Sequence, residues 1–501
     1  MNYCDFLFKI KDDWKTNTAL VDVGSGKEFS YLELQNAVIS LSKKLKKLNI
    51  SSGDVVLIHL VNSAEVVITH LAVQYIGGIS VLLDPLIPLN ALPYYIHDTN
   101  SKHLITNISI EMCREVDHSL KNILHPSEIL KMVKLDNDNV TYNQYKFSED
   151  ELSVIFYTSG TTNKPKGVML SPKNYFNHVR VFTEGCYRYA ENDKLLCFVP
   201  FSHGYGSKSV FLPCLQAGSA MYIMRSFHPY KVIETIEKYG ITHIFGVPSH
   251  FQQLLKKDEF IPTLKKLKAS FSAAALLKIE TAVKWKEKIG IYLDEGYGLI
   301  ETSTGVAFRT NRLPNKLGDI GTYPKNFVNI EIVDDNFNFL KTGEKGEIVV
   351  QSKSVMLGYL NKKEETKKAI INGWFRTGDM GYKNQNDEII LTGRIKDVIN
   401  IAGIKVAPFE IESKINIHPF VNESAVIGVD DEVYGEVVIA FVQLMSGKNL
   451  NERDLIKYLQ NLLMNFQIPK RIIFKDNFPR NNMGKIDKKK LKIEFKSMNL
   501  L

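Results

Sequence analysis

Cysteine is scarce and patternless: the 501 residues hold five (Cys4, Cys113, Cys186, Cys197 and Cys214), with no C-x-x-C pair. An odd count at that spacing gives neither a disulfide framework nor a zinc site, and it suits a reducing compartment. Long apolar runs are missing too. The most apolar stretch, Val55 to Leu83, is broken by His59, Asn62, Glu65, His70, Gln74 and two glycines, so no transmembrane segment is expected. The opening residues, MNYCDFLFKIKDDWK, carry charges every few positions and read as no signal peptide. Together these features lead to the expectation of a cytoplasmic protein. Repeats and low-complexity segments are absent, and so is a large charge imbalance. Lys and Arg number 63 against 55 Asp and Glu, a net +8 spread along most of the chain. A nucleic-acid binder would concentrate that excess in a stripe; this mild surplus suits an anionic small molecule or an acidic partner.

What is present is an ordinary globular composition, 44% hydrophobic and 24% charged. At roughly 100–200 residues per domain the length allows about two to four domains. Val55–Leu60 reads as a buried strand, Ala64–Tyr75 as a helix and Ile79–Leu83 as the next strand. Strand, helix and strand in so short a span is a βαβ unit, which demands a largely parallel sheet. The pattern recurs around residues 154–157, 195–200, 220–224 and 241–246. From about Phe327 the texture changes to short strands with tight turns, as in NIEIVDDNFNFLKTGEKGEIVV, indicating a small β-rich part. Beyond Gly393 a separate small α+β unit is expected, with strands over 425–429, 437–444 and 471–474 and a helix over 452–464. The lysine-rich end, KIDKKKLKIEFK, reads as a solvated amphipathic segment.

The most informative segment is YTSGTTNKPKGVML, residues 157–170, directly after an apolar strand. Gly160 and Gly167 bracket the hydroxyls of Thr161 and Thr162 and the amines of Lys164 and Lys166, with Thr158 and Ser159 just ahead. Freed backbone N–H groups, hydroxyls and ammonium groups are what a polyphosphate needs from a loop. Six residues separate the glycines, which is not the G-x-x-x-x-G-K-[ST] spacing of a P-loop NTPase. Taken alone, the segment could also be a polar surface turn.

TSGTTNKPKG resembles the phosphate-binding signature of the adenylate-forming superfamily, which comprises acyl-CoA and aryl-CoA synthetases, adenylation domains of nonribosomal peptide synthetases and beetle luciferases. Other signatures of that family follow in order. Pro200-Phe201-Ser202-His203 resembles its P-x-x-H segment, and Gly296-Tyr297-Gly298-Leu299-Ile300-Glu301 its G-Y-G-x-T-E. Trp374-Phe375-Arg376-Thr377-Gly378-Asp379 is similar to W-[FY]-x-T-G-D, and Gly393-Arg394-Ile395-Lys396-Asp397 to G-R-x-[KD]-D. The run from Pro479 to Lys485 is similar to P-x-x-x-x-G-K. The resemblance implies a large N-terminal domain (1–393) of layered parallel α/β sheets with a small β-barrel-like part. A small mobile C-terminal α+β domain (394–501) follows.

It also implies a reaction: a carboxylate attacks ATP to give an acyl-adenylate and pyrophosphate, and a thiol then takes the acyl group. The implied cofactors are ATP and Mg²⁺. The implied acceptor is coenzyme A or the phosphopantetheine of an acyl or peptidyl carrier protein. ATP would be bound by Thr158, Ser159, Gly160, Thr161, Thr162, Lys166, Gly296, Tyr297, Asp379 and Arg394. Tyr297 offers a rigid face for adenine, or is otherwise a core tyrosine. The Asp379 carboxylate can accept both ribose hydroxyls, and Arg394 adds a fork of donors. Glu301 would hold the metal, since Mg²⁺ needs few protein ligands beside phosphates. Lys485 is implied as the catalytic cation for charge that builds on the α-phosphate. The resemblance gives His203 a catalytic place at the acyl pocket, lined further by Tyr205, Ala273, Ala274 and Gly298. Lys396 falls at the implied hinge, or is an ordinary exposed lysine; Gly403 falls at the implied pantetheine channel.

Ile300 departs from the pattern, which has Thr there. A lost hydrogen bond to a charged group costs about 1.5–3 kcal/mol, so a weakened enzyme is expected, and a nucleotide-binding pseudoenzyme stays an alternative. Relatives that activate amino acids place an Asp soon after the phenylalanine of the Pro200 segment. Here FSHGYGSKSVF holds no acid. A buried ammonium without a counter-ion is costly, so a fatty or aromatic small-molecule carboxylate is favoured over an amino acid.

Overall fold

In the computed structural model of the chain, residues 1–133, 143–158, 164–480 and 486–498 are described. They form two compact units. The first comprises Met1–Pro314, Ile320–Ile330 and Val350–Phe375; the second comprises Asn315–Asp319, Glu331–Val349 and Arg376 onward.

The first unit is built from βαβ logic. VVLIH forms the strand Val55–His59, the helix Ala64–Tyr75 follows, and ISVL forms Ile79–Leu82, with Val55 opposite Ile79 in parallel register. Every residue of that helix except Glu65 is buried, as befits a segment apolar nearly all round. Its one deep amide, Gln74, donates to the carbonyls of Gly78 (3.2 Å) and Ser153 (2.8 Å), while its own side-chain oxygen has no hydrogen-bond partner among the described residues. Around this unit grows a seven-stranded sheet. Its order is Gly358–Tyr359, Lys166–Leu170, Val154–Thr158, Ile79–Leu82, Val55–His59, His103–Thr106, Asn122–Leu124. The last five strands are parallel, and the turn back at Lys166–Leu170 is antiparallel.

An eight-stranded sheet completes the unit. Its order is Thr304–Arg309, Leu293–Leu299, Ala269–Ala273, His243–Gly246, Lys194–Cys197, Ala220–Ile223, Thr18–Asp22, Lys27–Ser30. Only the two edge strands run antiparallel. The strand expected from residue 241 starts at His243 instead. Gly240 (φ 66°) ends the preceding helix, and the Ile241 N–H still bonds back to Ile236 O at 3.3 Å.

The second unit holds most of a curled antiparallel sheet, in the order Val328–Val333, Gly346–Ser352, Trp374–Lys383, Ile370–Ile371, with Ile389–Arg394 also paired to Trp374–Lys383. Its later residues form a five-stranded sheet around the hairpin Val421–Asp431 and Gly435–Leu444. The alternation expected of strands is clean here. Val426, Val438, Ala440 and Val442 face one core with Ile411, Ile415, Leu455 and Leu459. Ala425, Ile427, Val429, Val437, Ile439 and Phe441 face another with Phe478, Leu491 and Phe495. The last helix, Lys488–Ser497, therefore buries an apolar stripe under its lysines. The helix expected over 452–464 stops at Gln460. The Asn461 amide there donates to Lys457 O (3.3 Å), and Leu463 reaches the core from the turn. Among the described residues all five cysteines are free, and no helix is long and apolar enough to cross a membrane.

Candidate active site

In the first unit the phosphate-like segment is the connection of a hairpin. Thr158 lies directly opposite Lys166 where Val154–Thr158 turns back into Lys166–Leu170. Ser159, Gly160, Thr161 and Thr162 lie outside the described residues. Gly167 sits within the returning strand, where its missing side chain admits Ile155, Leu360 and Tyr157. The Lys166 ammonium pairs with Glu365 and stands 5.1 Å from the Tyr359 ring centroid. Tyr359 in turn donates its hydroxyl to Glu301 Oε1 at 3.0 Å. Lys166 and Glu301, distant in sequence, thus share the Tyr359 ring as a neighbour.

Glu301 is positioned by the strand Leu293–Leu299, which ends in the short turn Ile300–Thr302. The glycines are steric necessities. A side chain at Gly296 would run into the Phe271 ring, and one at Gly298 into the Thr304 carbonyl of the neighbouring strand. Directly after Glu301 the backbone is strained: Ser303 has φ 59° and Thr304 φ 110°, a region hostile to a β-branched residue. The strain is held by Ser303, donating to Ser354 O (2.8 Å), and by a buried triad. His178 Nε2 meets Thr304 Oγ1 (2.8 Å) and Ser209 Oγ (3.1 Å), and the two hydroxyls meet at 2.7 Å. Burial, reinforced by the charge of Lys208, pushes the His178 imidazole down to about 3. Ile300 is 7% exposed, and the Thr302 hydroxyl is spent on Leu299 O and Thr304 O, so it does not replace the missing threonine.

The same strand borders an apolar cavity of about 40 Å³. Its walls include His203, Tyr205, Ala273, Ala274, Tyr297 and Gly298, with Phe182, Phe271 and Phe308 closing it. Tyr205 is 4% exposed and anchored by its hydroxyl to Phe271 O (3.1 Å) and Gly246 O (3.3 Å). His203 accepts the Tyr205 N–H at Nδ1 (3.2 Å), which fixes the ring against its own chain. No carboxylate stands among these lining residues.

In the second unit Asp379 and Arg394 are directly opposite across antiparallel strands, with Arg394 Nε 2.9 Å from Asp379 Oδ1. Asp379 is 3% exposed, whereas the Arg394 side chain is 45% exposed. Gly378 (φ 71°) makes the bend before Asp379, and Glu347 holds it by accepting the Gly378 N–H (3.0 Å) and Arg376 Nε (2.7 Å). Lys396 lies exposed in the one-turn helix Ile395–Asp397. Gly403 (φ 88°) and Ala402 (φ 48°) form the tip between Ile399–Ile401 and Ile404–Val406, and nothing approaches within 4 Å of where a Gly403 side chain would begin. Lys485 lies outside the described residues. Sequence reasoning missed Tyr359, Glu365, Glu347 and the His178–Ser209–Thr304 triad, none of which carries a local motif.

Comparison with known proteins gives this geometry its class. Residues 9–360 match the family model of the AMP-binding enzyme, and residues 410–485 that of the AMP-binding enzyme C-terminal domain. The chain belongs to the AMP-binding enzyme family, within the adenylate-forming superfamily its motifs resemble, and is an acid–thiol ligase of the acyl-CoA synthetase type. It is 29% identical to 4-coumarate–CoA ligase 4 of Arabidopsis thaliana over 97% of this chain and 90% of that protein. It is 30% identical to a long-chain-fatty-acid–CoA ligase of Bacillus subtilis, over 93% and 90%. ATP-bound MatB from Rhodopseudomonas palustris superposes with a TM-score of 0.91 at 28% identity, covering 99% of this chain and 100% of that one.

Proposed function

We propose that the chain activates a carboxylic acid with ATP, releasing pyrophosphate, and passes the acyl group to the thiol of coenzyme A. The observation that carries this reading is a single strand. Leu293–Leu299 lines an apolar cavity with Tyr297 and Gly298 and hands on within two residues to Glu301. An acid seated in the cavity and a phosphate held by the Thr158–Lys166 hairpin would then meet near Glu301. Among the described residues no cluster of three His, Cys, Asp or Glu could hold a metal by itself. That donor set fits Mg²⁺ carried on phosphates with Glu301 as its protein ligand. The ion would supply charge neutralisation for the departing pyrophosphate.

The remaining roles follow the same reading. Asp379 accepts the ribose hydroxyls, Arg394 donates beside it, and Tyr297 packs on adenine. Lys485 meets the charge developing on the α-phosphate. The separate cores of residues 399–495 support a body that moves about Lys396, exchanging Lys485 for Gly403 as the pantetheine arm enters. The lining without a carboxylate supports an acid with an uncharged tail, aromatic or fatty. The names of the 4-coumarate and long-chain relatives agree with that class.

The test is carboxylate-dependent ATP–pyrophosphate exchange over a panel of aromatic, fatty and amino acids, with Glu301→Gln and Lys485→Ala alongside. Exchange with an aromatic or fatty acid, followed by acyl-CoA when the thiol is added, is expected, and both variants should lose it. Exchange that leads to an acylated carrier protein and no acyl-CoA would assign the other acceptor. Silence across the panel with ATP still bound would favour the pseudoenzyme that Ile300 suggests.

A further inference from the structure

Lys208 is 1% exposed, and its amine has no hydrogen-bond acceptor among the described residues. It lies in the π-helical segment Tyr205–Val210 that follows His203. A lysine stem is long enough to carry its charge to water, yet this one ends inside. Nζ stands 4.5 Å from the Phe156 ring centroid. It also occupies the space that glycine leaves at position 204, where a side chain would come within 3.1 Å of Nζ and against the Thr304 methyl. Each neighbour belongs to a segment with a task. Phe156 lies two residues before Thr158, Gly204 adjoins His203, and Thr304 follows Glu301 by three. The hairpin of the phosphate segment, the acyl segment and the glutamate turn therefore converge on one nitrogen.

We propose that Lys208 is a catalytic residue of this enzyme, whose ammonium takes an anionic oxygen at the reacting centre: the carboxylate of the acid or the α-phosphate it attacks. The inference rests on the adenylation reading above. Burial drives the amine well below its ordinary value, and the Glu301 charge opposes that shift. A buried unpaired amine burdens the fold, whereas the same amine beside a carboxylate or phosphate is matched. Charge that grows on the transferred group strengthens the contact in the transition state, as catalysis requires.

Lys208→Met keeps an unbranched side chain one atom shorter and removes the charge, and Lys208→Gln removes the charge while staying polar. Both are expected to lower the exchange rate roughly ten- to hundred-fold, the loss of one hydrogen bond to a charged group. The Met variant should melt at the native temperature or above it. Affinity for ATP measured without acid, set against KM for the acid, separates the two oxygens: weakened ATP binding indicates the phosphate, a raised acid KM the carboxylate. Native exchange in both variants overturns the proposal, and so does a loss of rate matched by a lower melting temperature. If the native enzyme exchanges with no acid, the functional reading itself has failed; if it exchanges and the variants match it, only the role of Lys208 falls.

Discussion

Tyr359 steadies Glu301 from a part of the chain that no motif marks. Its hydroxyl reaches Glu301 Oε1 across 58 residues of sequence, and its ring lies beside Lys166. Removing that hydroxyl with Tyr359→Phe should cost about 1.5–3 kcal/mol of alignment, seen as a roughly ten-fold or greater fall in kcat/KM with the melting temperature nearly unchanged. Ile300→Thr should act in the opposite direction. It returns a hydroxyl beside Glu301 that Thr302 does not supply, and the exchange rate should rise; a variant no faster than native would remove Ile300 as a cause of weakness. Motif residues such as Asp379, Arg394 and Glu301 were legible because their chemistry is written in consecutive letters. The triad His178–Ser209–Thr304 was not, since its members are 31 and 95 residues apart from Ser209 and meet only when the sheet forms.

Among the elements, the pair Leu293–Leu299 and Thr304–Arg309 carries the most. Its register sets Glu295 opposite Arg309, a buried ion pair at 3.0 Å with both side chains at 6% exposure or less. Glu295 also accepts the Leu277 N–H (3.0 Å), so the carboxylate is tied at both oxygens. Arg309→Met leaves that carboxylate buried without its partner and should destabilise the protein by about 3–5 kcal/mol in denaturant titrations. Adding Glu295→Leu should recover part of the loss. Buried strands of the βαβ units were legible as short apolar runs, and the C-terminal strands as alternation. Helix ends were less so, because Asn461 and Gly240 stop or cap their helices through bonds that composition does not announce. The small size of the apolar cavity was also beyond the sequence, since Phe308 and Phe182 line it from separate elements.

At the scale of the molecule, acid is the natural stress. Burial holds His70 and His178 at about 3, and His243 and His250 at about 4. Each folded value lies below the ordinary 6.5, so the unfolded chain binds protons first as pH falls. Stability from these four groups is therefore complete above about pH 6.5 and is lost progressively down to pH 3–4. Thermal melts should show a plateau near neutrality and a steep decline below it, and His243→Gln should make that decline shallower. A melting temperature flat from pH 7 to pH 4 would contradict the buried neutral histidines.

The central claim is that ATP is cleaved to AMP as an acid becomes a thioester. Its most direct test is the product balance of one reaction containing the native enzyme, ATP, Mg²⁺, coenzyme A and an acid accepted in the exchange panel. Acyl-CoA, AMP and pyrophosphate in equal amounts are predicted. ADP with orthophosphate, or AMP release that does not depend on the acid, would contradict the account.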